Sequence, residues 1–270
     1  MTQPDIFDDD APWAEWLPEL RMILSAYNSV LDDRFSDTPE VPSKAMRSYL
    51  RMATYYPGRA FRATAEILEV LKCGLDSPEV ASELATMPPM GVPQGRTRED
   101  CLTMMVPHLV AFTESGEQTE PAVPETKWEW RERLPNLSSL LGGYYHQSAT
   151  DYLFPDVEDD RYDEVVLADY YGSGPDPRAA AVVAEIGELL EMGLDEEALE
   201  AAVSALGSWY GPPQGLSRKS WLMAAAQHLS RRLPADVPLW FSSSGGGAGF
   251  VEGAVAEHGE QDGDAAAGQA

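Results

Sequence analysis

The side chains best suited to chemistry in this 270-residue chain are few and scattered. Its four histidines are His108, His146, His228 and His258, and none falls in an HExxH or comparable metal-ligand pair. Ser138-Ser139 and Ser242-Ser243-Ser244 lie outside any GxSxG elbow, so neither is set up as a nucleophile. Gly245-Gly246-Gly247-Ala248-Gly249 has no following Lys-Ser/Thr and no preceding strand, which makes it linker rather than phosphate cradle. The carboxylates Asp156, Glu158, Asp159, Asp160, Asp163 and Glu164 are dense enough to suggest calcium. They lack the alternating order, central glycine and terminal Glu of an EF-hand loop. Two readings remain for that cluster: a solvated helix start, or an anionic docking patch. The expectation is therefore no catalytic residue, no metal and no cofactor, and a protein that is not an enzyme.

Bulk composition narrows the partners. The formal net charge is −26, which repels phosphate backbones and anionic lipid and attracts a basic protein. Neither nucleic acid nor membrane is an expected partner, although an acidic surface also serves plain solubility. Hydrophobic residues make up 44% of the chain, with 7 Trp, 11 Tyr and 7 Phe, enough for packed cores. Cys73 and Cys101 fall on apolar helical faces, where buried thiols are expected, and they form no disulfide framework. Met1-Thr2-Gln3-Pro4-Asp5 has no signal-peptide pattern. No apolar run approaches the ~18–20 residues that span a bilayer, so a cytoplasmic location is expected.

The elements that must carry these side chains are helical. Trp13, Trp16, Leu17, Leu20, Ile23, Leu24 and Tyr27 recur at spacings of three and four, one stripe of an amphipathic helix. Ser43 caps a second helix with Met46, Tyr49, Leu50 and Ala53 inward, and Pro57-Gly58 ends it. Arg59 to Lys72 forms a third, with Phe61, Ala65, Leu68 and Leu71 as its apolar positions and Gly74 at its end. Ser77-Pro78 starts a fourth. Thr97 with Asp100 resembles a capping box and opens the last helix of the set.

The same order of parts then recurs. Leu17-Pro18, Leu20, Ile23-Leu24 and Tyr27 answer to Leu134-Pro135, Leu137, Leu140-Leu141 and Tyr144, at an offset of 117 residues. Glu66-Ile67 and Gly74 answer to Glu185-Ile186 and Gly193 at 119, and Gly91, Gly95, Leu102 and His108 to Gly211, Gly215, Leu222 and His228 at 120. Such small drift fits a tandem duplication. The expected architecture is all-α, as two tandem bundles of about five helices each. One is a diverged copy over residues 13–112, followed by a linker at 113–127. The other covers 128–241, with helices near 130–148, 160–171, 177–192, 196–210 and 217–233. The Gly/Ala/acidic tail at 242–270 cannot repay its ordering entropy and is expected to be disordered.

In the second copy, Tyr144 continues the Leu137–Leu140–Leu141 stripe and is expected in the core. Tyr145, His146 and Gln147 are then expected to face outward or into a cleft. Gly142-Gly143 predicts close helix packing or a kink. His108 and His228 are either structural residues near the ends of the last helices or a shared functional pair.

The run Leu137-x-x-Leu140-Leu141-Gly142-Gly143-Tyr144-Tyr145-His146-Gln147, then Glu185-Ile186-x-x-Leu189-Leu190, then Pro212-Pro213, Gly215, Ser217 and Trp221-Leu222 resembles a known family. These are the immunity proteins of bacterial contact-dependent growth inhibition, in particular the small all-helical group with a Leu-Leu-Gly-x-Tyr-Phe-His-Gln-Asp signature. The motif core is Leu137, Leu140, Leu141, Gly143, Tyr144, Glu185, Ile186, Leu190 and Trp221. Two departures stand out: Ser148 replaces the signature Asp, and the first copy continues after Tyr27 with Asn28-Ser29 and lacks the polar His-Gln stretch. The resemblance implies a cytosolic antidote that binds one cognate toxin, commonly a nuclease. Such a toxin is basic because its substrate is polyanionic. The candidate interface is then Tyr145, His146 and Gln147 with Asp156, Glu158, Asp159, Asp160, Asp163 and Glu164. An acidic adaptor or secretion chaperone for an effector is the alternative.

Overall fold

The computed structural model describes residues 16–30, 35–115, 123–146, 162–171, 176–212, 215–231 and 233. All of them lie in one compact unit, residues 1–238. The tail at 242–270 lies outside the described residues. Among those described there is no strand, and the fold is all-α.

The first five helices are α1 (Pro18–Ser29), α2 (Lys44–Ala53), α3 (Arg59–Cys73), α4 (Pro78–Thr86) and α5 (Arg98–Ser115). A short α6 (Lys127–Arg133) follows. Then come α7 (Pro135–Tyr144), α8 (Tyr162–Tyr171), α9 (Pro177–Glu191), α10 (Glu196–Leu206) and α11 (Arg218–Ser230). Local caps account for several of the starts. Ser43 Oγ accepts from the Met46 N–H at 3.0 Å, and Asp195 from the Ala198 N–H at 2.8 Å. Thr97 and Asp100 form the reciprocal box: the Thr97 N–H donates to Asp100 Oδ2 at 2.8 Å, and the Asp100 N–H to Thr97 Oγ1 at 3.0 Å. Each such cap satisfies amides that the helix itself leaves unpaired.

Helices α1 and α7 start without a local cap. Leu17 and Leu134 sit at the N-cap positions with no side-chain oxygen to offer, and Pro18 and Pro135 begin the helices. In both cases a glutamate from another helix closes the end. Glu66 of α3 accepts from the Leu20 N–H at 2.7 Å. Glu185 of α9 accepts from the Leu137 N–H at 2.7 Å and the Asn136 N–H at 3.2 Å. The spacing Leu-Pro-x-Leu followed far downstream by Glu-Ile is thus a tertiary capping device. The Ile beside each Glu, Ile67 and Ile186, is buried, which holds the carboxylate in place.

Two apolar clusters sit under these helices. The first gathers Leu20, Ile23, Leu24, Met46, Tyr49, Ile67, Leu102 and Leu109 among others, and the second Leu137, Leu140, Leu141, Ile186, Leu189, Val203, Trp221 and Leu229. Helix α6 is spliced between them. Its Trp128 is buried in the first cluster, ring-stacked on Tyr49 at 6.4 Å, and Trp130 is buried in the second. Between the two indoles Glu129 is almost wholly buried, bound by Arg51 Nη2 at 2.7 Å, Arg51 Nε at 3.1 Å and the Glu125 N–H at 3.0 Å, and by the Ser48 hydroxyl. Burial alone raises the Glu129 carboxyl; these donors outweigh it and hold the group below its ordinary value.

Four local expectations are corrected. The helix expected over 130–148 is broken at Leu134 (φ −126°, ψ 60°), because Pro135 restarts it as α7. The helix expected over 196–210 stops at Leu206, where Gly207 turns left-handed at φ 115°. Cys73 is exposed, whereas Cys101 is buried. On α3 the buried face is Ala60, Ala63, Ile67 and Val70, while Phe61 and Leu68 stand out at 64% and 50% exposure. Helix α3 therefore carries two apolar stripes, and periodicity alone does not say which one the core takes.

Candidate functional site

The signature run of the second half ends where α7 ends. Leu137, Leu140 and Leu141 are buried, with Ile186 and Trp221 beside them. Leu190 is partly buried against the same cluster. Gly207 is the residue that allows close approach: a Cβ built on it would lie 2.7 Å from the Gly142 Cα, whereas a Cβ built on Gly142 would make only an ordinary contact, 3.5 Å from the Leu206 carbonyl oxygen. A Cβ on Gly143 would meet nothing within 4 Å, so the close packing is between Gly207 and the backbone at Gly142 and does not involve Gly143.

The expected roles of Tyr144 and Tyr145 are exchanged. Tyr145 is 1% exposed, its ring edge-on to Trp221 at 5.4 Å. Tyr144 is half-buried, edge-on to Tyr170 of α8 at 4.9 Å. The cause is the end of the helix. Tyr145 leaves the helical path at φ −103°, ψ 19°, and its carbonyl accepts from the Trp209 N–H at 2.8 Å and the Tyr210 N–H at 3.1 Å. Past the last turn a 3.6-residue period no longer assigns faces, and this pair of hydrogen bonds turns the Tyr145 ring inward. As an interior residue Tyr145 supports the surface rather than forming it.

His146 is half-buried and lies edge-on to Trp209 with ring centroids 5.5 Å apart. Gln147, Asp156, Glu158, Asp159 and Asp160 lie outside the described residues. Asp163 is on α8, but its side chain is not described; Glu164 on the same helix is exposed. The structure thus joins His146 to one residue absent from the sequence-derived set, Trp209. Its signal was an aromatic off the Leu199–Val203–Leu206 stripe, just ahead of the Gly211-Pro212 turn.

The buried carboxylates are spoken for by structure. Glu66 is pushed up to about 7 by burial, which outweighs the Leu20 N–H, with the Glu19 charge adding to the rise. Burial likewise raises Glu185 against its hydrogen bonds from Leu137 and Asn136. Each faces a helix end, not a cleft. His108, buried on α5, binds the Thr38 carbonyl through Nε2 at 2.7 Å and sits 4.0 Å from Asp37, the satisfied structural reading. Among the described residues no group of three or more His, Cys, Asp or Glu is placed to share a metal ion. No described helix is long and apolar enough to cross a membrane.

What this half of the chain holds, then, is a packed signature helix and an aromatic surface beside it. No curated protein matches the chain, and neither does any solved structure. Residues 133–229, which contain the signature helix, its Glu185 cap, Trp209 and Trp221, match the family of CdiI immunity proteins, and in that segment the chain is similar to a CdiI immunity protein.

Proposed function

We propose that this protein is a cytoplasmic immunity protein that binds a cognate bacterial toxin domain and blocks it without catalysis. The observation that carries the reading is the family match over residues 133–229, which covers the surface around His146. In this reading residues 128–241 are the working immunity module, and residues 13–112 are a diverged copy joined through 113–127. The paired caps of Glu66 on α1 and Glu185 on α7 support a common origin for the two.

The toxin is a basic protein, a nuclease by this proposal. A chain of net charge −26 attracts such a surface, and complementary charge speeds capture to ~10⁸–10⁹ M⁻¹s⁻¹ at low salt. The acidic residues Asp156, Glu158, Asp159, Asp160, Asp163 and Glu164 supply the charged part of the interface. Co-expression with the product of the neighbouring gene tests the reading: growth rescue and co-purification are expected. Secretion of that product without any inhibition of its activity would instead identify an effector chaperone. Within a confirmed complex, Asp159→Lys with Asp160→Lys should weaken binding, more so at low salt, and leave thermal unfolding unchanged. An affinity indifferent to both the substitutions and the salt would remove the acidic patch from the interface.

A further inference from the structure

Trp209 is the most exposed of the large apolar side chains among the described residues, at 71%, yet it is not on a loose strand of chain. Its own N–H is tied to the Tyr145 carbonyl at 2.8 Å, the next N–H to the same oxygen at 3.1 Å, and Ser208 Oγ donates to the Tyr210 carbonyl at 2.9 Å. Beneath these bonds the Tyr145 ring is locked against Trp221. An indole held outward by a buried support is the preorganised form of a binding anchor, because its ordering cost is met before the partner arrives.

The chemistry of its surroundings specifies the contact. Residues 138–146 and 206–212, which form this junction, contain no Asp, Glu, Lys or Arg. The two segments that carry the indole and its support are thus uncharged, as the centre of a protein interface tends to be. His146 meets the indole at 66° between ring planes rather than stacking flat on it, and at 71% exposure the indole keeps ring surface open to solvent. The indole face carries the negative pole of the ring quadrupole, and Trp binds a cation there better than any other side chain.

We propose that Trp209, edged by His146, is the central anchor of the toxin interface, and that it receives an arginine or lysine side chain of the toxin on its indole face. The assignment rests on the immunity reading above and deepens it. At the corresponding positions the first half has Pro89 and Ser29, so this anchor belongs to the second half alone.

The test uses the full chain and the purified product of the neighbouring gene, with affinity measured by calorimetry. Trp209→Ala is expected to weaken binding by about 10- to 100-fold, the range of an interface hot spot, with the unfolding midpoint unchanged. Trp209→Phe should retain more affinity than Trp209→Leu, since only the former keeps a π face. Wild-type affinity in Trp209→Ala overturns the anchor while immunity stands. Equal affinity of the Phe and Leu variants overturns the cation contact. A wild-type chain that binds no toxin at all overturns the immunity reading, and the anchor with it.

Discussion

In the first half Glu66 closes α1 and in the second Glu185 closes α7, each 2.7 Å from the matching leucine amide. Around that shared device the two halves differ. Beside Glu66 stands Glu19, buried, with Arg59 Nε at 3.1 Å, Arg62 Nη2 at 2.9 Å and the Tyr49 hydroxyl at 3.1 Å. The matching position beside Glu185 is Asn136, whose Nδ2 donates to Glu185 at 2.6 Å. One half uses an ionic network, the other a neutral amide. Under the helices the difference reverses in size: where the second core buries the Trp221 indole against Tyr145, the first has the Cys101 thiol, and Asn28 faces solvent. Both halves cap this helix end because an uncapped, proline-started helix end leaves amides unpaired in either. Core filling is free to vary so long as volume is matched by its neighbours.

The sharpest way to break this comparison is through the paired core positions. Trp221→Ala should cost about 3–5 kcal/mol of stability, against about 1 kcal/mol for Cys101→Ala, both read by urea denaturation. Similar costs at the two sites would mean that the indole is not the keystone of the second core.

Next in size is Gly207→Ala. Its left-handed φ of 115° and the 2.7 Å approach to Gly142 combine to a cost of about 2–4 kcal/mol. The matching residue of the first half, Met87, ends α4 in an extended conformation, so Met87→Leu should be nearly neutral. A harmless Gly207→Ala would show that α7 and the end of α10 can separate without loss.

The smallest effect probes what the halves share. Glu66→Ala and Glu185→Ala should each lose about 1–2 kcal/mol, the scale of a helix cap, and the Gln variants less, since an amide oxygen still accepts. Glu66 also ties stability to pH. Its folded value of about 7 lies above the ordinary 4.5, so the fold holds this proton more tightly than the unfolded chain does. Stability therefore falls as pH rises between those two values and is insensitive to this group outside them. Glu185 contributes with the same sign. Glu66→Gln should flatten the fall in urea midpoint across that window; an unchanged slope would locate the titrating group elsewhere.

Much of this could be read from the residues in order. Three- and four-residue spacing, Ser43, the Thr97/Asp100 box and the glycine at the end of α3 are local signals, set by amides and side chains a few positions apart, and they specify helices wherever they occur. The kinship of residues 133–229 was legible too, because Leu140-Leu141-Gly142-Gly143-Tyr144-Tyr145-His146 is a contiguous word. Other features depended on partners far away in the chain. Glu66 caps an amide 46 residues earlier, which no window around either residue reveals. Phe61 and Leu68 look as apolar as Ile67 and Val70, and only the packing of α3 in the assembled fold buries one stripe and leaves the other exposed. Tyr145 turned inward and Trp209 outward because a carbonyl at the end of α7 found two amides beyond the end of α10. Helix periodicity is silent at that point, since past its last hydrogen-bonded turn a chain takes its direction from its neighbours.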